Sequence, residues 1–369
     1  MFGGSIVKPG FNPLAAQGYL YNLFAWGNGQ VGRLGLGNTT YYSSPVQVGL
    51  STDWNVVAVN TATVLAVKTN GTLWSWGYNN YGNSGLGDTA ARSSPTQVGA
   101  LTAWYKVACG GISSYATKTD GTLWSWGANN AGQLGLGNLT YYSSPKQVGA
   151  LTDWLNISGG GYTAAGIKTN GTLWTWGQNS FGQLGLGNTT YRSSPTQVGA
   201  LTTWSLVSVA GSNMVYAIKT DGTLWAWGRN QNGQLGLGNI TNYSSPKQIG
   251  ALTTWSKVSG KNTFVLAVTT GGALYAWGLN SDGQLGLNNT QYYSSPKQVG
   301  VLTSWSIVNV GPTFSAAIKT DGTLWTWGKN TNGQLGLGNT TDYSSPKQIG
   351  SSTTWLSISS GSANMTGLG

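Results

Sequence analysis

The sequence predicts an all-β fold: a closed seven-bladed β-propeller with four strands per blade. Three observations predict it. A Trp-Gly pair recurs at Trp26, Trp76, Trp126, Trp176, Trp227, Trp277 and Trp327, with spacings of 50, 50, 50, 51, 50 and 50 residues. Each interval holds four short strand-like runs between turn signals. The two ends of the chain each carry part of one further interval. Four strands at a period near fifty residues match a propeller blade.

The tryptophans follow the period. A second one recurs at Trp54, Trp104, Trp154, Trp204, Trp255, Trp305 and Trp355. A third precedes the Trp-Gly pair by two residues, at Trp74, Trp124, Trp174, Trp225 and Trp325, with Phe24 and Tyr275 in the other two places. These positions account for all 19 tryptophans, so none is left for a unique site.

Within one interval, residues 145–148 read as the first strand, opened by Pro145 where its missing N–H costs least. Residues 154–158 and 164–169 read as the second and third. Asn170-Gly171 is a two-residue hairpin turn, both positions tolerating positive φ; Asp-Gly stands there at 120–121, 221–222 and 321–322. Residues 172–176 form the fourth strand, with bulky groups on both faces, as expected where sheets stack face to face. A glycine-rich loop over 177–194 leads to the next proline. At the C-terminus, 355–359 supplies a second strand and 364–368 a third, and at the N-terminus 19–26 aligns with a fourth. The two ends together make one shared blade, which removes free edges; an open solenoid would need caps instead. The domain reading is an extension at 1–18 and one propeller at 19–369.

Composition limits the chemistry. Of 369 residues only 7% are charged, glycine contributes 58, and glutamate and histidine are absent. Gly and β-branched residues are poor helix formers. Eighteen Lys and Arg against eight Asp give a net charge of +10, which favours anionic partners such as nucleic acid, polyanionic glycans or lipopolysaccharide. The charges form no run, and they also suffice simply to keep a weakly charged surface hydrated. Lys68, Lys118, Lys168, Lys219 and Lys319 precede the hairpin turn, and Lys146, Lys247, Lys297 and Lys347 follow the proline. In a ring these become two belts, either polyanion-binding or discouraging strand pairing at edges. The single cysteine, Cys109, allows no intramolecular disulfide and reads as a small buried residue. Residues 1–20 have no apolar run long enough for a secretory leader, and no later stretch would span a membrane. Synthesis in a cytoplasm, with incorporation into a larger particle, is the expectation.

The frame W-G-x-N-x-x-G-Q-L-G-L-G-N at 126–138, the following S-S-P-x-Q-V and the D-G-T-L-W-x-W-G segment resemble the repeat of the regulator of chromosome condensation family. The resemblance covers roughly 19–369 and recurs seven times. It implies a seven-bladed propeller. It does not imply one function, because family members include a nucleotide-exchange factor for the GTPase Ran that binds chromatin, a plant ultraviolet-B photoreceptor and a bacterial inhibitor of β-lactamases. The exchange factor's repeats carry a histidine after the inner-strand glycine. The matching stretches here, Gly110-Gly111-Ile112-Ser113-Ser114 and Gly160-Gly161-Tyr162-Thr163, do not. The photoreceptor's G-W-R-H-T signature is absent. The low-charge, Asn/Thr/Tyr-rich composition and the opening 3–13 resemble repeat proteins of tailed bacteriophages.

Catalysis is not expected. A glycosidase or acid–base pair needs two carboxyls a few ångströms apart, and each of Asp53, Asp88, Asp120, Asp153, Asp221, Asp282, Asp321 and Asp342 has a turn explanation. Without histidine there is no Ser-His-Asp triad, and a transition-metal site lacks ligands. Gly132–Gly137 reads as turns and not a phosphate loop, since no helix or lysine follows. No metal and no cofactor is implied.

The informative signal is where repeats differ inside the fixed frame. Three stretches vary: one after the Trp-Gly pair, one after the second strand, and one before Ser-Ser-Pro. The last yields the candidate binding residues Tyr41, Tyr42, Arg92, Tyr141, Tyr142, Tyr191, Arg192, Tyr243, Tyr292, Tyr293 and Tyr343. Tyr and Arg at loop tips make a rigid amphipathic surface. The expected function is a non-enzymatic binding or structural protein working through one ringed face toward a protein or glycan, as a virion or adhesion component. The alternatives are an adaptor or exchange factor for a small GTPase or DNA, and a proteinaceous enzyme inhibitor.

Overall fold

The computed structural model describes residues 21–369. The extension at 1–18, the leader reading of 1–20 and the phage-like opening at 3–13 lie outside the described residues. The chain forms seven four-stranded antiparallel sheets. One blade comprises Trp154–Gly159, Thr163–Lys168, Leu173–Gly177 and Arg192–Gln197, paired in that order. Five more repeat this meander. The seventh joins Ser357–Ser360 and Asn364–Leu368 to Leu23–Gly27 and Tyr42–Gln47. Five residue pairs, from Leu23↔Leu368 to Gly27↔Asn364, close the ring.

One expectation needs correcting. The proline-bearing strand does not begin a blade. It is the outer strand of the preceding one, as Thr175↔Thr196 pairing shows. The shared blade is therefore two strands from each end of the chain, and not three and one. Nor does proline open that strand: Pro195 lies inside Arg192–Gln197, at the irregular register between Gly177↔Arg192 and Thr175↔Thr196. An edge-strand bulge is where a residue without an N–H fits.

The core lies between blades. Each of seven apolar clusters spans one blade border, as with Tyr115, Leu123 and Val148 of one blade against Trp154, Ile157 and Trp176 of the next. The Trp-Gly indoles are all fully buried. Six donate Nε1–H to a backbone carbonyl of the preceding blade's long loop; Trp176 reaches Gln133 O at 2.9 Å. A Cβ on Gly135 would lie 2.8 Å from that Nε1, so only glycine admits the indole, and its φ of +73° suits no other residue well. The same loop leans forward. Gly137 N–H donates to Ser193 O of the next blade at 2.8 Å, and all seven borders repeat this bond at 2.8 Å. At one border Asn288 takes the glycine position at φ +58°, which Asn tolerates better than most residues.

Candidate binding face

Alternating strand direction sends the turns after the inner and third strands to one end of every blade. The hairpin turns and blade-to-blade connections go to the other end. All three variable stretches therefore share one face, called the looped face below. The inner turns ring the axial channel, and the long loops form the periphery.

The long loops are held rigid from within. Asn129, fully buried, donates Nδ2–H to Asn138 O at 2.9 Å and accepts Leu134 N–H at 2.9 Å. Asn179, Asn230, Asn280 and Asn330 do the same in their blades. A buried amide with both ends satisfied stabilises one loop conformation. Variation is carried on this fixed loop.

The eleven candidate residues divide into two sets. Tyr42, Arg92, Tyr142, Arg192, Tyr243, Tyr293 and Tyr343 are not loop tips. They are the first residues of the outer strands, and half-buried. The phenols of Tyr142 and Tyr243 accept from Asn138 and Asn239 Nδ2 at 3.4 and 3.2 Å. The rings of Tyr142, Tyr243, Tyr293 and Tyr343 lie beneath Lys146, Lys247, Lys297 and Lys347, with Nζ 5.4–5.5 Å from the centroids. Where Arg replaces this Tyr, at Arg92 and Arg192, Thr replaces the lysine. Six outer strands thus carry one cation each, from either of two adjacent positions.

Tyr41, Tyr141, Tyr191 and Tyr292 are the exposed set, at 43, 45, 46 and 55%. Tyr141 packs edge-on against Tyr81 of the neighbouring blade at 6.1 Å, and Tyr81 against Tyr78 at 6.2 Å. Phe181 lies beneath the Arg229 guanidinium of the next blade at 5.3 Å. These cross-blade clusters, with exposed Leu139 and Ile240, were missed by considering one stretch at a time. The signal was available: Leu139 and Ile240 stand where the other five repeats have Thr.

The opposite face is repetitive and nearly charge-balanced. Its lysines do not form the open belt considered from sequence. Lys219 Nζ lies 3.8 Å from the Trp225 centroid and 5.2 Å from that of Trp204, between two indoles. Lys68, Lys118, Lys168 and Lys319 are placed likewise. Lys68 and Lys168 also pair with Asp53 and Asp153 at 3.0 and 3.5 Å. A second chain of contacts fixes the outer indole: Trp225 Nε1–H donates to Thr223 Oγ1 at 2.9 Å, which donates to Asp221 at 2.7 Å. Two blades lack it: one has Thr269, Gly271, Ala273 and Tyr275 for Lys, Asp, Thr and Trp, and the shared blade has Gly369, Asn22 and Phe24 for Lys, Thr and Trp. Four simultaneous replacements show that these positions work as a unit. Lys219→Met is expected to cost about 0.5–2 kcal/mol, the range of a partly desolvated cation–π contact. Urea unfolding would check it, and a change below a few tenths would contradict the sandwich.

The remaining aspartates serve the frame. Asp120, Asp221 and Asp321 each accept from the Thr two residues on, which holds these carboxyls below their ordinary range. Asp88 pairs with Arg92 at 2.6 Å, and Asp342 accepts Asn330 N–H at 2.6 Å. Asp282 faces Lys329 at 3.9 Å. Among the described residues, the surplus positive charge therefore lies on the looped face, the rim and the inner strands. The Cys109 thiol is buried, contacts Ala58 O at 3.4 Å and is pushed up to about 12 by burial, so it is no nucleophile.

The geometry defines a class: a repeat-built propeller that carries its variable loops on one face of a fixed scaffold. The particular family follows from the repeats: the chain belongs to the regulator of chromosome condensation (RCC1) repeat family, whose model matches seven times, at 22–62, 70–116, 120–167, 170–218, 221–268, 271–318 and 321–365. A second model of the same repeat matches 154–183, 207–234, 255–284 and 305–334. No curated protein matches the sequence. Among solved structures, Prp20p from Saccharomyces cerevisiae, studied for its binding to Gsp1p and histones, is 19% identical with a TM-score of 0.83, over 95% of this chain and 92% of that one. Human WBSCR16 is 21% identical with a TM-score of 0.83, over 94% and 98%. Yeast RCC1 (Prp20) bound to Kap60 gives 19% and 0.84, over 95% and 90%. At such identities the likeness is one of fold.

Proposed function

We propose that this protein is a non-enzymatic binding protein that docks a macromolecular partner on the looped face. One observation carries the reading. The differences between repeats, and the cross-blade aromatic clusters, collect on that face, while the opposite face repeats itself. Tyr, Phe and Arg anchors on rigid loops lose little entropy on binding. The relatives of known structure support a protein partner, since Prp20p is described with Gsp1p and histones. A partner enzyme held as by an inhibitor, or a neighbouring subunit in a virion or adhesion structure, is a finer form of the same docking.

The second reading is an adaptor for a small GTPase or DNA, favoured by the rim on which six of the seven outer strands carry a cation. One experiment separates them. Tyr81→Ser with Tyr141→Ser is compared with Leu101→Ser, a half-exposed leucine on the opposite face. Against a partner captured with the wild type, the tyrosine pair is expected to lose roughly tenfold or more in affinity. Leu101→Ser is expected to lose nothing. Equal losses would sink the looped-face reading. Capture of nucleic acid with a steep salt dependence would favour the rim.

A further inference from the structure

The axial channel opens on the looped face through a mouth of about 320 Å³, lined by the turns after the inner strands of all seven blades. The residue six past each inner-strand tryptophan is glycine in four repeats, Gly110, Gly160, Gly311 and Gly361, and alanine in a fifth, Ala210. The two that carry a longer side chain are Asn60 and Lys261, 201 residues apart, and they meet. Lys261 Nζ donates to Asn60 Oδ1 at 2.7 Å and to Ser360 O at 3.3 Å. Asn60 Nδ2–H in turn donates to Cys109 O at 3.2 Å, which fixes the acceptor. The ammonium is thus held across the channel by blades other than its own. Ring closure needs neither long side chain, since the other five repeats carry only Gly or Ala there.

Among the described residues lining the mouth, Lys261 is the one charged side chain. Arg33 stands behind the rim, donating to Ser362 Oγ at 3.2 Å and Gln30 O at 2.9 Å, and adds positive potential. Two of the ammonium's three N–H donors are engaged by neutral oxygens, leaving one for a ligand. Burial pushes Lys261 down to about 8, the Cys109 sulfur acting in the opposite direction. A half-buried cation without a counter-charge is costly, and an incoming anion relieves that cost.

We propose that the channel mouth is a seat for a single carboxylate, an Asp or Glu side chain that the docked partner inserts onto Lys261. The inference rests on the looped-face reading and names the partner's chemistry at its centre. A single charge is matched by one lysine. Phosphate recognition commonly uses clustered Arg or several backbone N–H groups, which the mouth does not assemble around Lys261. The volume lies at the small end of ligand pockets, roughly 300–1,000 Å³, enough for one side chain and its flanking peptide.

The test uses the whole chain and its Lys261→Gly variant, which installs the residue that four repeats carry. Matching melting curves confirm that the variant folds, and its missing signal assigns the Lys261 side-chain ¹³Cε resonance. N-acetylglutamate methylamide is titrated against the glutamine analogue and inorganic phosphate. A saturable shift confined to Lys261 with the glutamate compound alone supports the seat. No saturable shift, an equal response to phosphate, or equal shifts across all lysines overturns it. With the captured partner, Lys261→Gly is expected to weaken binding roughly tenfold or more and Lys261→Arg less. If Lys261→Gly leaves capture unchanged while the Tyr81/Tyr141 pair abolishes it, the seat fails and the docking face stands. If neither changes capture, the face itself fails.

Discussion

Replacing Trp176 with alanine is expected to destabilise the ring by about 3–5 kcal/mol, the range for a large aromatic removed from a packed core. The indole is fully buried, packs edge-on against Trp154 at 5.8 Å, and reaches the preceding blade through Nε1. Trp176→Phe separates packing from the bond: it keeps most of the contact and removes one of two hydrogen bonds to the Gln133 carbonyl, which the Tyr115 hydroxyl still serves at 2.8 Å, for about 0.5–1.5 kcal/mol. The informative control is Trp76→Phe. Trp76 is equally buried, but its Nε1 has no acceptor among the described residues. Its replacement is expected to cost less than that of Trp176. Guanidinium unfolding of the three variants checks this. Equal costs for the two Phe variants would show that the inter-blade bond contributes nothing.

The second large effect is expected from removing residues 357–369. This deletes Ser357–Ser360 and Asn364–Leu368, and with them the pairing that covers Leu23–Gly27. It also strips Ile358 and Met365 from the cluster around Trp26. A strand edge that the ring hides is then open to pairing. The truncated chain is expected to lose its single cooperative calorimetric transition and to associate with rising concentration in light scattering. A monomer melting within a few degrees of the full chain would refute closure by the shared blade.

The fold was legible because the Trp-Gly spacing and the split ends each reported it separately. The phase of the unit was not. Periodicity says that four strands recur, but not which four share a sheet, and the proline strand belongs to the blade before it. The binding face was half legible. Repeat differences marked the variable stretches, but strand assignment decided that Tyr142 and Arg192 start outer strands while Tyr141 and Tyr191 stay exposed. The Trp–Lys–Trp sandwich could have been inferred from the joint replacement at Thr269, Gly271, Ala273 and Tyr275. The Lys261–Asn60 contact showed only as two polar side chains at one repeat position, since nothing local indicates that they face each other across the channel.

The offset between repeat and blade reaches further. The family unit at 120–167 begins at a hairpin turn and ends in the second strand of the next blade, so each unit gives half of itself to each of two sheets. In assembly terms, the chain is a strand exchange performed seven times within one molecule. An opened ring therefore presents two half-blades that complement those of any other opened copy. Its characteristic off-pathway products would be swapped dimers, or end-to-end filaments where the geometry fails to close, and not amorphous aggregate.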